Sequence, residues 1–237
     1  MTANTAKSFG AQLLKGQSLV TYINGFTNFN PPRVEESVGE MTTLVNKIYA
    51  ANASEIVRLE NYLQATEARA AAFRKKDGSV ERLIPAIRGA VESQYGKPSR
   101  ELSTLDIIIR RMRPLRHTAP VSDPANTDAS KTISQSERSY GSVTQFFNDI
   151  INCLSQFTGY VPANDALKVA SLQAHAQLLG TLNNNVSLAI QLLQTERLQR
   201  IALYKELDER VKRIKAYVKS EYGLQSSEAQ LIARLKY

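Results

Sequence analysis

Residues 163–221 read ANDALKVASLQAHAQLLGTLNNNVSLAIQLLQTERLQRIALYKELDERVKRIKAYVKSE, a proline-free run in which only the isolated Gly180 disfavours a helix. Leu179, Leu182, Val186, Ile190 and Leu193 recur at steps of three and four, as do Tyr204, Leu207, Val211, Ile214 and Val218. That period is the stripe of a bundle or coiled-coil helix, and it predicts burial of Leu182, Val186, Ile190, Val211, Ile214 and Val218. Such a helix runs roughly 85–90 Å at 1.5 Å per residue. Gly223 offers a C-cap, and a last short helix is expected from about Ser226.

The same pattern occurs earlier in the chain. At an offset of 131, Ser8-Phe9-Gly10 falls on Ser139-Tyr140-Gly141, and Phe26-Thr27-Asn28-Phe29-Asn30-Pro31 falls on Phe157-Thr158-Gly159-Tyr160-Val161-Pro162. Without a gap, Met41 then meets Leu172, Ile48 meets Leu179, Asn52 meets Asn183, Arg69 meets Arg200 and Phe73 meets Tyr204. After Lys76 the offset becomes 127, so that Val80 meets Leu207, Ile87 meets Ile214, Val91 meets Val218 and Tyr95-Gly96 meets Tyr222-Gly223. Each match is weak alone, but their order and the single indel point to a tandem duplication.

The expected organisation is a first helical repeat at 1–116, a polar linker at 117–138 and a second helical repeat at 139–237. The linker is rich in Ser, Thr, Asp, Asn, Ala and Pro. Each repeat opens with a short amphipathic helix, about Phe9 to Asn24 and Tyr140 to Gln156. The Phe-Thr-x-aromatic-x-Pro turn ends it, and a long helix follows. Pro31, Pro32 and Pro162 suit a helix start, and Glu35, Glu36 and Asp165 suit the positive end of its dipole. Lys76-Asp77-Gly78-Ser79 adds about one helical turn to the first repeat, and its breaker residues predict a kink that Pro85 extends. Ile107-Ile108-Ile109 is β-branched but lies at helical spacing among charged residues. The fold class is therefore all-α: tandemly duplicated helical hairpins forming an elongated bundle around two long helices.

The chain has 237 residues with a formal net charge of +8, and the charge is unevenly placed. Residues 1–68 and 139–196 hold six Lys and Arg against nine Asp and Glu, whereas 69–116 and 197–237 hold twenty-two against ten. Both repeats are thus slightly acidic in front and basic behind. Arg69, Arg74, Lys75, Lys76, Arg110, Arg111, Arg113, Arg200, Lys205, Arg210 and Arg213 form a candidate anion or nucleic-acid surface. The alternative is a solvated helix face whose cations pair with Glu196, Glu206 and Glu209 and favour helix C-termini.

Enzyme signatures are thin. His175 matches Leu44, which favours a part-buried structural residue, and His117 lies in the linker. Cys153, the lone cysteine, matches Tyr22 on an apolar helix and reads as a small core residue. No zinc, haem or di-iron ligand spacing occurs, and no phosphate-cradling glycine motif occurs. No cofactor, metal site or small-molecule substrate is expected, and the chain is read as not an enzyme. Asn52 and Asn183 coincide under the duplication in the middle of apolar helices, where a buried Asn fixes register and partner number.

No run of eighteen apolar residues exists to span a membrane, and the first residues lack a signal-peptide stretch, so a cytoplasmic location is expected. The leading functional reading is a non-enzymatic helical scaffold or assembly subunit, self-associating or bound to a protein partner. A sequence-independent nucleic-acid-binding accessory protein is the alternative, and a membrane-active helical protein is third.

Overall fold

The computed structural model describes residues 8–112 and 139–235. The linker at 117–138, Arg113 and the side chain of Lys75 lie outside the described residues. Among the described residues the helices are α1 (Phe9–Asn24), α2 (Val38–Ala70), α3 (Val80–Tyr95), α4 (Arg100–Met112), α5 (Tyr140–Ser155), α6 (Val169–Glu221) and α7 (Ser227–Ala233). Short 3-10 turns at Val34–Glu36 and Asp165–Leu167 lead into the two long helices. Among the described residues there is no strand, and Ile107 to Ile109 lie within α4.

The helices begin and end where their chemistry dictates. Ser8 and Ser139 cap α1 and α5 through hydrogen bonds from Ala11 N–H (3.2 Å) and Ser142 N–H (3.0 Å). The turn after each short helix needs a left-handed residue, supplied by Asn28 (φ 58°) and Gly159 (φ 78°). Between α2 and α3 the break is complete rather than a kink. Ala71–Lys75 form a π-helical turn, and Lys76 to Ser79 are non-helical before α3 starts. Pro85 sits inside α3, where its missing N–H leaves the carbonyl of Glu81 without its usual helical partner.

The chain divides into two compact units that cut across the sequence halves. Unit 1 comprises Met1–Tyr62 and Ala189–Tyr237, and unit 2 comprises Leu63–Leu188. In unit 1, Leu19, Ile23, Met41, Leu44 and Ile48 close on Leu207, Val211, Ile214, Val218 and Ile232. In unit 2, Phe147, Ile150, Leu154, Leu172 and Leu179 close on Leu83, Ile87, Val91, Leu102 and Leu105. Every one of these is buried, and each fully buried aliphatic side chain contributes roughly 1.5–3 kcal/mol to the fold.

Within unit 1 the two long helices run antiparallel. Asn52 meets Tyr204 and Glu55 meets Arg200, so numbers rise along α2 as they fall along α6; the Glu36–Arg213 pair, from the turn that leads into α2, continues the sequence. Of the six residues expected in the buried stripe, Val186, Val211, Ile214 and Val218 are buried. Leu182 and Ile190 are only half-buried, because around them α6 presents its core face through Leu179, Val186 and Leu193 instead.

The two units close their ends with the same devices. In unit 1 the Tyr222 ring lies 5.7 Å from that of Phe26, and its hydroxyl donates to the Thr27 carbonyl at 2.8 Å. In unit 2 the Tyr95 ring lies 5.8 Å from that of Phe157, and its hydroxyl donates to the Thr158 carbonyl at 3.1 Å. A few residues on, Asn30 N–H donates to the Tyr217 hydroxyl and Val161 N–H donates to the Gln94 amide oxygen, each at 3.2 Å.

Candidate functional site

Arginine on an aromatic ring is the most distinctive polar arrangement, and it occurs in each unit. In unit 1, Phe9 at the start of α1 stacks on Tyr204 of α6 with centroids 4.7 Å apart, and the Arg200 guanidinium lies 4.4 Å over the Phe9 ring. In unit 2, Tyr140 at the start of α5 meets Phe73 edge-on at 4.9 Å. The Arg69 guanidinium lies 4.0 Å, and that of Arg74 5.2 Å, from the Tyr140 ring. Each such cation–π contact is worth about 0.5–2 kcal/mol depending on burial.

The two clusters differ in how the charge is answered. Glu55 of α2 accepts from Arg197 (2.8 Å) and from Arg200, so unit 1 neutralises its arginines with a mostly buried carboxylate. In unit 2, Arg69 and Arg74 form no ion pair with a described carboxylate, and Arg69 Nε is buried with no hydrogen-bond partner. Arg74 also lines a cavity of about 210 Å³ whose walls are Phe73, Val80, Ile84, Pro85, Ile109, Met112 and Val143, with Glu81 beside them.

The remaining basic candidates divide into engaged and free. Arg210 is buried and donates to the Glu35 carbonyl and to Glu206 one helical turn back, and Arg213 donates to the buried carboxylate of Glu36. Arg200, Arg210 and Arg213 therefore hold unit 1 together. Lys76, Arg110, Arg111 and Lys205 are exposed, as is Arg74. The charges at the ends of α4 and α6 suit the negative ends of those helices. Sequence spacing suggested the Glu206 pairing, but nothing in the sequence pointed to the cross-element contacts with the Glu35 carbonyl and the Glu36 and Glu55 carboxylates.

Asn52 and Asn183 both lie half-buried within their helices. The Asn52 amide donates to the Tyr204 hydroxyl at 2.8 Å and that of Asn183 to the Thr144 hydroxyl at 3.2 Å, while both side-chain oxygens are buried without a partner. Asn184 and Asn185 are exposed. Each Asn thus bonds its helix to a neighbouring one at the cost of an unsatisfied acceptor.

His175 packs edge-on against Phe147 at 5.7 Å, and burial lowers its pKa. Burial pushes the Cys153 thiol up, which makes it a poor nucleophile at neutral pH. Among the described residues no three His, Cys, Asp or Glu side chains are placed to hold a metal ion, and no helix is long and apolar enough to cross a membrane. Comparison with known proteins returns no matching family model, no matching curated protein and no matching solved structure.

Proposed function

We propose that this chain is a non-enzymatic helical assembly subunit that acts by self-association through apolar faces of its long helices. One observation carries the reading. In unit 1, Tyr49 and Ile56 of α2 are 64% and 66% exposed and lie seven residues apart, on one face. Leu198 and Ile201 of α6, three residues apart, are 68% and 51% exposed. Side chains of this size grouped along helices whose inner faces are already closed mark an interaction surface rather than scattered surface apolar residues.

The matched devices of the two units support a second element of the proposal. The chain is a tandem duplication whose repeats pair crosswise, the front of one with the back of the other. Helical folds with such internal repetition supply repeated faces from which closed or extended assemblies are built. The nucleic-acid reading is the weaker one, because Arg200, Arg210 and Arg213 are already held by carboxylates and a carbonyl of their own unit.

Sedimentation velocity tests the proposal on the whole chain. Its weight-average mass rises with concentration, and Ile56→Glu with Ile201→Glu returns it to a monomer without loss of helical signal. A wild-type chain that stays monomeric at every concentration tried contradicts self-association.

A further inference from the structure

Among the described residues, the Arg69–Arg74–Tyr140 cluster and the cavity beside it set charge that no described carboxylate answers next to an apolar space. Two guanidiniums lie on one tyrosine ring, 4.0 and 5.2 Å from its centroid, with no carboxylate of a described residue in ion-pair range of either. Like charges on one ring are unfavourable, and an anion against these guanidiniums offsets that charge while filling donors that have no partner among the described residues. Arg74 belongs both to this pair and to the lining of the 210 Å³ cavity. The rest of that lining is aliphatic or aromatic except Glu81, which stands in the first turn of α3, where the helix dipole favours its charge.

We propose that unit 2 binds a small amphipathic anion: a carboxylate or phosphate head on Arg69 and Arg74, and an acyl or aryl tail in the cavity formed by Phe73, Ile84, Ile109 and Val143. Pockets of this composition, apolar with a few convergent charges, are the usual form of small-ligand sites. Arginine suits the head because its fork matches the two oxygens of a carboxylate or phosphate. Unit 1 has no such vacancy, since Glu55 already occupies its arginines. At the position corresponding to Glu55, offset by 131, unit 2 carries the buried Val186. That last comparison rests on the duplication, whereas the site itself rests only on the geometry of unit 2.

Isothermal titration of the full chain with octanoate and with octyl phosphate tests the assignment, with octanol and acetate as ligands that lack the charge or the tail. At least one of the two anions binds saturably below about 1 mM, and octanol and acetate bind at least about tenfold more weakly, the scale of a charge-assisted hydrogen bond. Arg74→Glu, an exposed position, weakens binding at least about tenfold with circular dichroism unchanged. Val143→Phe, which fills the cavity, abolishes it. Absence of binding by both anions, equal binding of octanol, or an unaltered affinity in Arg74→Glu overturns the proposal. None of these outcomes depends on whether the chain self-associates.

Discussion

At the middle of its short helix, unit 1 has Gly16 where unit 2 has Phe147. The side chains that would face a Cβ on Gly16 are Leu207 and Val45, at 3.2 and 3.4 Å. At the positions corresponding to Leu207 and Val45, unit 2 has Val80 and Ala176. One unit therefore brings a bare backbone against larger neighbours, and the other has a fully buried phenylalanine in a core that includes those smaller residues. Close-packed interiors allow such exchanges only when volume is conserved across the contact, and on the proposed duplication this accounts for a shared pattern with few identities. The polar clusters differ in the same complementary manner, with Glu55 answering Arg200 in unit 1 and no described carboxylate answering Arg69 in unit 2.

Volume exchange gives the largest expected effect. Phe147→Ala costs about 3–5 kcal/mol in urea denaturation, the range for emptying an aromatic from a core. Gly16→Phe costs about 1–3 kcal/mol through overpacking, and Leu207→Val with Val45→Ala recovers part of that loss. If the triple variant is no more stable than Gly16→Phe alone, the volumes are not exchanged and the comparison fails.

A smaller effect separates the charge clusters. The side chains of Glu55 and Arg200 are only 13% and 16% exposed. Glu55→Gln strands Arg200 at a cost of about 1.5–3 kcal/mol. The corresponding substitution Val186→Gln loses stability through its buried amide and leaves no arginine newly unpaired. A double-mutant cycle with Arg200→Met distinguishes them, since only the loss in Glu55→Gln is coupled to Arg200.

The smallest effect is the pH dependence carried by His175. Burial lowers its pKa in the folded chain, so the unfolded chain accepts a proton that the folded chain refuses. Stability is therefore complete above the unfolded value of about 6.5 and is lost as pH falls below it. His175→Leu, which imports the residue of Leu44, removes that part of the loss between pH 7 and pH 5. An unchanged difference between the two pH values assigns the loss to other groups.

The helical period made α1, α5, α6 and the terminal helix legible, because apolar residues at steps of three and four leave few alternatives over such lengths. The break at Lys76 to Ser79 was visible from Asp77-Gly78, but the π-helical turn before it was not, since Ala71 to Lys75 contain no residue that disfavours an α-helix. Leu182 and Ile190 were misplaced because a stripe read at constant angle ignores the drift of an α-helix over many turns. The basic residues were visible as a set, yet their division into engaged and unanswered was not. That division depends on Glu36 and Glu55, which lie 177 and 145 residues from the arginines they hold. Crosswise pairing of the halves was likewise invisible, because periodicity reports a buried face and not what covers it.

Crosswise pairing is also the claim on which the rest depends, and intramolecular crosslinking tests it most directly. In a Cys153→Ser background, Asn30→Cys with Tyr217→Cys reports unit 1, and Val161→Cys with Gln94→Cys reports unit 2. A short bismaleimide joins both pairs within one chain at high dilution, as the 3.2 Å contacts at Asn30 and Val161 require. Efficient crosslinking instead of Asn30→Cys to Gln94→Cys, and of Val161→Cys to Tyr217→Cys, places each half on itself and contradicts the account.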